Sequence, residues 1–75
     1  MKHNDQCLSL VAGANLKRLI KKAGMTQEDA AEELGYSDAR QIRRMIAKGI
    51  TKTDEVKRIA DYFGVSFFDM FAPID

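Results

Sequence analysis

The 75-residue sequence predicts an all-α fold. Apolar residues recur at helical spacing almost throughout, and no segment alternates apolar and polar with the period of a strand. Glycines, hydroxyls and carboxylates then punctuate the pattern where helix stops and caps belong. The expectation is one compact five-helix domain over residues 8–75, behind an N-terminal tail of residues 1–7.

The first helix runs from about residue 8 to 22, with Leu16, Leu19 and Ile20 on one face, and Gly24 ends it. The second opens at Thr26, whose hydroxyl is placed to cap it while Asp29 occupies the reciprocal capping position. Its inward face is Ala30, Ala31 and Leu34; the alanines allow another helix to approach closely, and Gly35 supplies a left-handed stop. The third begins at Asp38, with Gln41 as its capping partner and Ser37 as an equally legal cap, and runs to about Lys48 before Gly49. The fourth starts after Thr51, paired with Asp54, and carries Val56, Ile59, Ala60 and Phe63 at helical spacing. Gly64 ends it, with Val65 placed for the apolar contact that accompanies such ends. The fifth is short: Ser66 caps, Asp69 answers, Phe67, Met70 and Phe71 supply apolar surface, and Pro73 closes it.

A hydrophobic share of 45% argues against disorder, and no apolar run approaches the roughly 18 residues of a membrane span. The start MKHNDQCLSLVAG lacks the apolar stretch of a signal peptide. A single cysteine, Cys7, excludes an internal disulfide framework and suits a reducing cytoplasm, so a cytoplasmic location is expected. His3 and Cys7 are too few ligands for a metal site, and no basic neighbour lowers the Cys7 pKa. Without a Gly-rich phosphate loop or an organised nucleophile, neither an enzyme, a cofactor nor a small-molecule substrate is expected.

The net charge of +1 hides an uneven distribution. Lys17, Arg18, Lys21 and Lys22 make the first helix basic; Glu28, Asp29, Glu32 and Glu33 make the second acidic, so the lysines and arginine of the first are expected in solvent or paired with those acids. From residue 36 to 52, Arg40, Arg43, Arg44, Lys48 and Lys52 stand against Asp38 alone. Only such local concentration matters to a phosphate-facing surface.

Helices two and three are joined by a predicted connection of about three residues, Gly35-Tyr36-Ser37, which forces a sharp angle between them. On a helical wheel Ile42, Met45 and Ile46 share the inward side of helix three. Arg40 and Arg44 lie nearly opposite, with Ala47 between them and Gln41, Arg43 and Lys48 flanking. Arginine pairs bidentately with guanine, glutamine with adenine, and either cation with phosphate, so this face suits the DNA major groove. Gln27, in the first turn of helix two, is placed to grip a phosphate beside backbone N–H groups. Tyr36 and Ser37, in the turn, complete the candidate contact set, Tyr36 as a packing residue or a phosphate donor.

From residue 13 to 71 the chain resembles the Cro/phage-repressor-type (lambda-repressor-like) helix-turn-helix family, in GANLKRLIKKAGMTQEDAAEELGYS and VKRIADYFGVSFFDMF. The resemblance implies a five-helix bundle, a phosphate-gripping glutamine at Gln27, and sequence reading from helix three. Helix three departs from the family pattern: it starts SDARQIRR, Ala47 or Lys48 stands where a Glu is usual before the closing glycine, and the segment is a residue or two longer.

The expected function is sequence-specific binding of double-stranded DNA by a transcriptional regulator, a repressor of a phage, mobile-element or toxin–antitoxin type operon. The alternative is a protein-interaction module, an antirepressor or accessory antitoxin, that keeps the fold without specific DNA binding. RNA is disfavoured because the basic face shows no aromatic stacking platform. Phe67, Phe68 and Phe71 exceed what one side of a short helix buries, so a weak homodimer through that surface is expected.

Overall fold

The computed structural model describes residues 5–73, with side chains from Leu8 onward. Four α-helices, α1 (Asp5–Lys22), α2 (Gln27–Leu34), α3 (Arg40–Lys48) and α4 (Thr53–Phe63), precede a 3₁₀ turn at Phe68–Phe71. No strand occurs among the described residues. The Asp5 start of α1 is three residues earlier than expected, since no glycine or proline at residues 5–7 stops the helix. His3 lies outside the described residues, as does the Cys7 side chain.

The capping box of α2 forms as its sequence requires: Thr26 Oγ1 accepts from the Asp29 N–H at 3.0 Å, and Asp29 Oδ2 accepts from the Thr26 N–H at 3.1 Å. Three other expectations are corrected. Helix α3 starts at Arg40, not Asp38, and no side-chain cap joins Asp38 to Gln41, because the Asp38 carboxylate folds onto Arg40 instead. The connection from α2 is therefore the five residues Gly35 to Ala39, with Ala39 itself buried. Helix α4 starts at Thr53 and lacks the Thr51–Asp54 cap. Ile50 is buried and its N–H donates to the Ser9 carbonyl at 3.0 Å, which holds the segment extended past Thr51 before a helix can begin.

The expected fifth helix is the 3₁₀ turn. Ser66 and Asp69 do exchange both capping hydrogen bonds, at 3.0 and 3.2 Å. The carbonyls of Met70 and Ala72, however, accept from the Asn15 side chain at 2.8 and 3.0 Å, and Pro73 has no N–H with which to prolong a helix.

Helix α1 is the spine, packing on α3, α4 and the 3₁₀ turn, while α2 packs on α3 and α4. The core joins Leu16, Leu19 and Ile20 of α1 to Ala30, Ala31 and Leu34 of α2, Ile42 and Met45 of α3, and Val56, Ile59 and Ala60 of α4. Met70 closes it from the 3₁₀ turn; Ile46, Phe63 and Val65 pack at its edge. Burial of one such side chain is worth about 1.5–3 kcal/mol. Gly13 sets the closest approach, since a Cβ there would collide with the Met45 carbonyl oxygen. Gly49 combines φ of 99° with a second tight approach, its missing Cβ falling within 2.9 Å of the Ser9 backbone. These two glycines let α1 and the end of α3 touch backbone to backbone.

Asn15, 1% exposed, sits inside this apolar core with every polar atom engaged. Its amide donates to the Met70 and Ala72 carbonyls, and its Oδ1 accepts from Arg18 Nε and Nη2, each at 3.3 Å. A buried amide is tolerated when its donors and acceptor are all satisfied. Here it staples the 3₁₀ turn to α1.

Candidate nucleic-acid interface

With Ile42 and Met45 turned into the core, the 3.6-residue period carries Arg40, Arg43, Arg44, Ala47 and Lys48 of α3 into solvent, and Gln41 to a half-buried edge. Exposed Ser37 and half-buried Tyr36, in the turn before α3, border the same face. A shallow depression of about 360 Å³ is lined by Tyr36, Ser37, Asp38, Arg40, Gln41 and Arg44. Seven of the eight residues predicted to contact DNA therefore lie on α3 or in the turn that feeds it, and the eighth, Gln27, opens α2 half-buried.

Their electrostatic circumstances differ. Arg44 and Lys48 make no ion pair among the described residues. Arg43 lies 3.9 Å from Glu28 across the α2–α3 junction, an exposed pair worth little in water. Arg40 is held by Asp38 at 2.9 Å although its side chain is 82% exposed. At the start of α2 the capping box uses the Thr26 and Asp29 N–H groups, leaving those of Gln27 and Glu28 without an acceptor among the described residues. Such orphan donors at a helix N-terminus suit a phosphate oxygen.

Tyr36 is committed to the scaffold. Its hydroxyl donates to Glu55 Oε2 at 3.4 Å, and its ring lies 5.4 Å from the Arg58 guanidinium. Burial, then the Glu55 charge, raises its pKa above the ordinary tyrosine value, so the hydroxyl stays a donor at neutral pH. Arg58 also donates Nη1 to the Leu34 carbonyl at 2.9 Å, capping the end of α2 from α4. Sequence reasoning missed Arg58; the available signal was that the last turn of α2 holds no basic residue of its own to meet its orphan carbonyls. It also missed Asn15, which nothing in its local sequence distinguishes from a surface asparagine.

Of the two places expected for the basic residues of α1, solvent or the acids of α2, the structure gives solvent. Lys17, Lys21 and Lys22 are exposed, and Arg18 serves Asn15. The acids of α2 find other partners: Asp29 its own cap, Glu28 Arg43, and Glu33 the Tyr62 hydroxyl at 3.3 Å. Asp29, Glu32 and Glu33 line a cleft between α2 and α4 with Tyr62 and Phe63, while Glu28 meets the basic face of α3 at Arg43.

A helix-turn-helix family model matches residues 16–70, which span the later part of α1, all of α2, α3 and α4, and most of the 3₁₀ turn. The chain belongs to the helix-turn-helix family. The solved structure of a hypothetical transcription factor from Neisseria is similar to this helix-turn-helix protein, with a TM-score of 0.78 and 20% identity. The likeness covers 97% of this chain and 85% of that one. At that identity it is a likeness of fold. No curated protein matches the chain significantly. Within the helix-turn-helix, α2 and α3 are the paired helices, and α3 is the one whose outer face is open and basic. Among the described residues, no helix is long and apolar enough to cross a membrane, and no cluster of three metal-ligating side chains occurs.

Proposed function

We propose that this helix-turn-helix protein is a sequence-specific regulator that inserts α3 into the major groove of duplex DNA. The observation that carries the reading is the outward face of α3, where Arg40, Arg43, Arg44 and Lys48 are all exposed and no carboxylate follows Asp38. Arg40, Gln41 and Arg44 lie in its N-terminal half, which in this architecture reaches base edges. Arg43, Lys48, Ser37 and the N-terminus of α2 with Gln27 hold the flanking phosphates. Tyr36 contributes by fixing the turn that aims Ser37 and α3. The finer reading is a repressor of a phage, mobile-element or toxin–antitoxin type operon, acting by occupying its operator.

A mobility-shift titration with mixed genomic DNA at several salt concentrations tests this. The expected result is binding that weakens steeply with salt, because phosphate contacts release counterions, with a subset of fragments held at higher salt. No shift at low salt would overturn the reading and favour the protein-interaction alternative.

The reading extends to a pair of copies on one operator. Phe67 and Phe71 pack at the edge of the core, whereas Phe68 is 80% exposed on the 3₁₀ turn, which packs against α1 and α4. Phe68 is the side chain we assign to a weak homodimer contact. Its support is that one helix-turn-helix covers only a few base pairs, so two copies on a two-fold site gain specificity.

A further inference from the structure

Asp38 faces the candidate interface, yet it neither caps α3 from the N-cap position nor carries the charge a phosphate needs. Its carboxylate grips Arg40 from the side. Oδ2 accepts from Arg40 Nη2 at 2.9 Å and from Nε at 3.1 Å, while Oδ1 accepts from Nε at 3.3 Å and from the Arg40 backbone N–H at 2.9 Å. A guanidinium has two usable edges, the side formed by Nε and Nη2 and the end formed by Nη1 and Nη2. Asp38 occupies the side edge. At the end edge Nη1 makes no hydrogen bond among the described residues and Nη2 keeps its second N–H, and Arg40 lines the depression shared with Gln41 and Arg44.

Two consequences follow from this arrangement. A flexible, 82% exposed arginine is held in one orientation before any ligand arrives, so less side-chain freedom is lost on binding. The carboxylate also neutralises the charge that would draw Arg40 to a phosphate, while leaving intact the paired donors that match guanine O6 and N7. We propose that Asp38 is a positioning residue that determines specificity, clamping Arg40 so that its free edge reads a guanine rather than a phosphate. This rests on the DNA-binding reading above. Hydrogen bonds from the Arg40 side chain, then from its backbone N–H, hold the Asp38 carboxyl below the usual range, so it is ionised at neutral pH.

Selection from a randomised duplex library, with wild type, Arg40→Ala, Asp38→Asn and the double variant, tests the clamp. Asparagine keeps an oxygen for the Arg40 backbone N–H but turns an NH₂ toward the guanidinium, so the start of α3 survives while the clamp is lost. Circular dichroism verifies that each variant is folded. Wild type should enrich a motif with one guanine whose preference Arg40→Ala abolishes. Asp38→Asn should lower that preference about tenfold, spare the other positions, and tighten binding to random duplex at low salt. The double variant should match Arg40→Ala. A guanine preference unchanged or raised in Asp38→Asn, a loss spread evenly over all positions, or effects that add in the double variant would each overturn the clamp alone. A wild type that enriches no motif and binds no DNA overturns the DNA-binding reading, and the clamp with it.

Discussion

Arg40 and Arg44 stand one helical turn apart on the same outward face, but among the described residues only Arg40 of the two has a side-chain partner. On the proposed reading, Arg40→Ala and Arg44→Ala each weaken specific binding by about 1–3 kcal/mol. Neither touches the core, so thermal unfolding should be nearly unchanged. Equal losses on specific and random DNA would restrict a residue to phosphate. Gln27→Ala, at the start of α2, should instead weaken every duplex about equally, and a changed base preference would contradict its phosphate role. The Arg40–Asp38 pair also has a pH signature. Because the folded pKa of Asp38 lies below the ordinary value of about 3.9, the pair's stabilisation is fully present above that value. It is lost as pH falls through the lower, folded value. An NMR titration of the Asp38 carboxyl carbon should show this depressed midpoint, and Arg40→Ala should return it toward the ordinary one.

The helices hold one another through a few polar and steric fixtures. Arg58 of α4 meets both the last carbonyl of α2 and the ring of Tyr36, so it sets where the turn leaves α2 and hence where α3 points. Removing a charged donor from a half-buried carbonyl costs about 1.5–3 kcal/mol. Arg58→Ala should therefore lower the thermal midpoint and weaken DNA binding although Arg58 is not among the proposed contacts; unchanged stability would refute the capping role. Gly13→Ala reads the α1–α3 contact. Alanine favours a helix over glycine by about 1 kcal/mol, but the atom it would strike is a backbone oxygen that cannot swing aside. Net destabilisation of about 1–3 kcal/mol is expected, a fall of several degrees in melting temperature, and a rise would show that α1 and α3 can separate freely.

For the molecule as a whole, α2 and its cleft with α4 carry four acids, whereas α3 carries four exposed cations and no carboxylate, the two meeting at the Arg43–Glu28 pair. On the proposed reading, it is this local charge on α3 and not the net charge of +1 that meets the DNA polyanion. The proposed dimer is a property of this scale too. Phe68→Ser should reduce operator affinity without altering helicity, since an 80% exposed ring contributes little to the monomer's core. Half-sites are expected about one helical turn of DNA apart. Sedimentation of the complex decides it: one subunit per site at saturating protein would rule the pair out.

Helical periodicity carried the all-α class, the four α-helices and nearly all of the core, because burial of a stripe at 3.6-residue spacing is a property of local sequence. The same periodicity placed Arg40, Arg43, Arg44 and Lys48 opposite Ile42 and Met45, so the candidate face of α3 was legible before any contact was known. The Thr26–Asp29 cap was equally legible, since both partners lie within one turn. What the sequence left open lay wherever a polar group had a choice of partners. Asp38 could cap Gln41 or hold Arg40, and Thr51 could start α4 until Ile50 was drawn into the core against Ser9. The fifth helix shrank to a 3₁₀ turn because Asn15, 55 residues away from Met70 in sequence, takes its carbonyl. Arg58 reaches Leu34 across 24 residues in the same way. Local hydrogen bonds and hydrophobic period are written in the order of residues; competition among distant donors for the same carbonyls is settled only when packing brings them together.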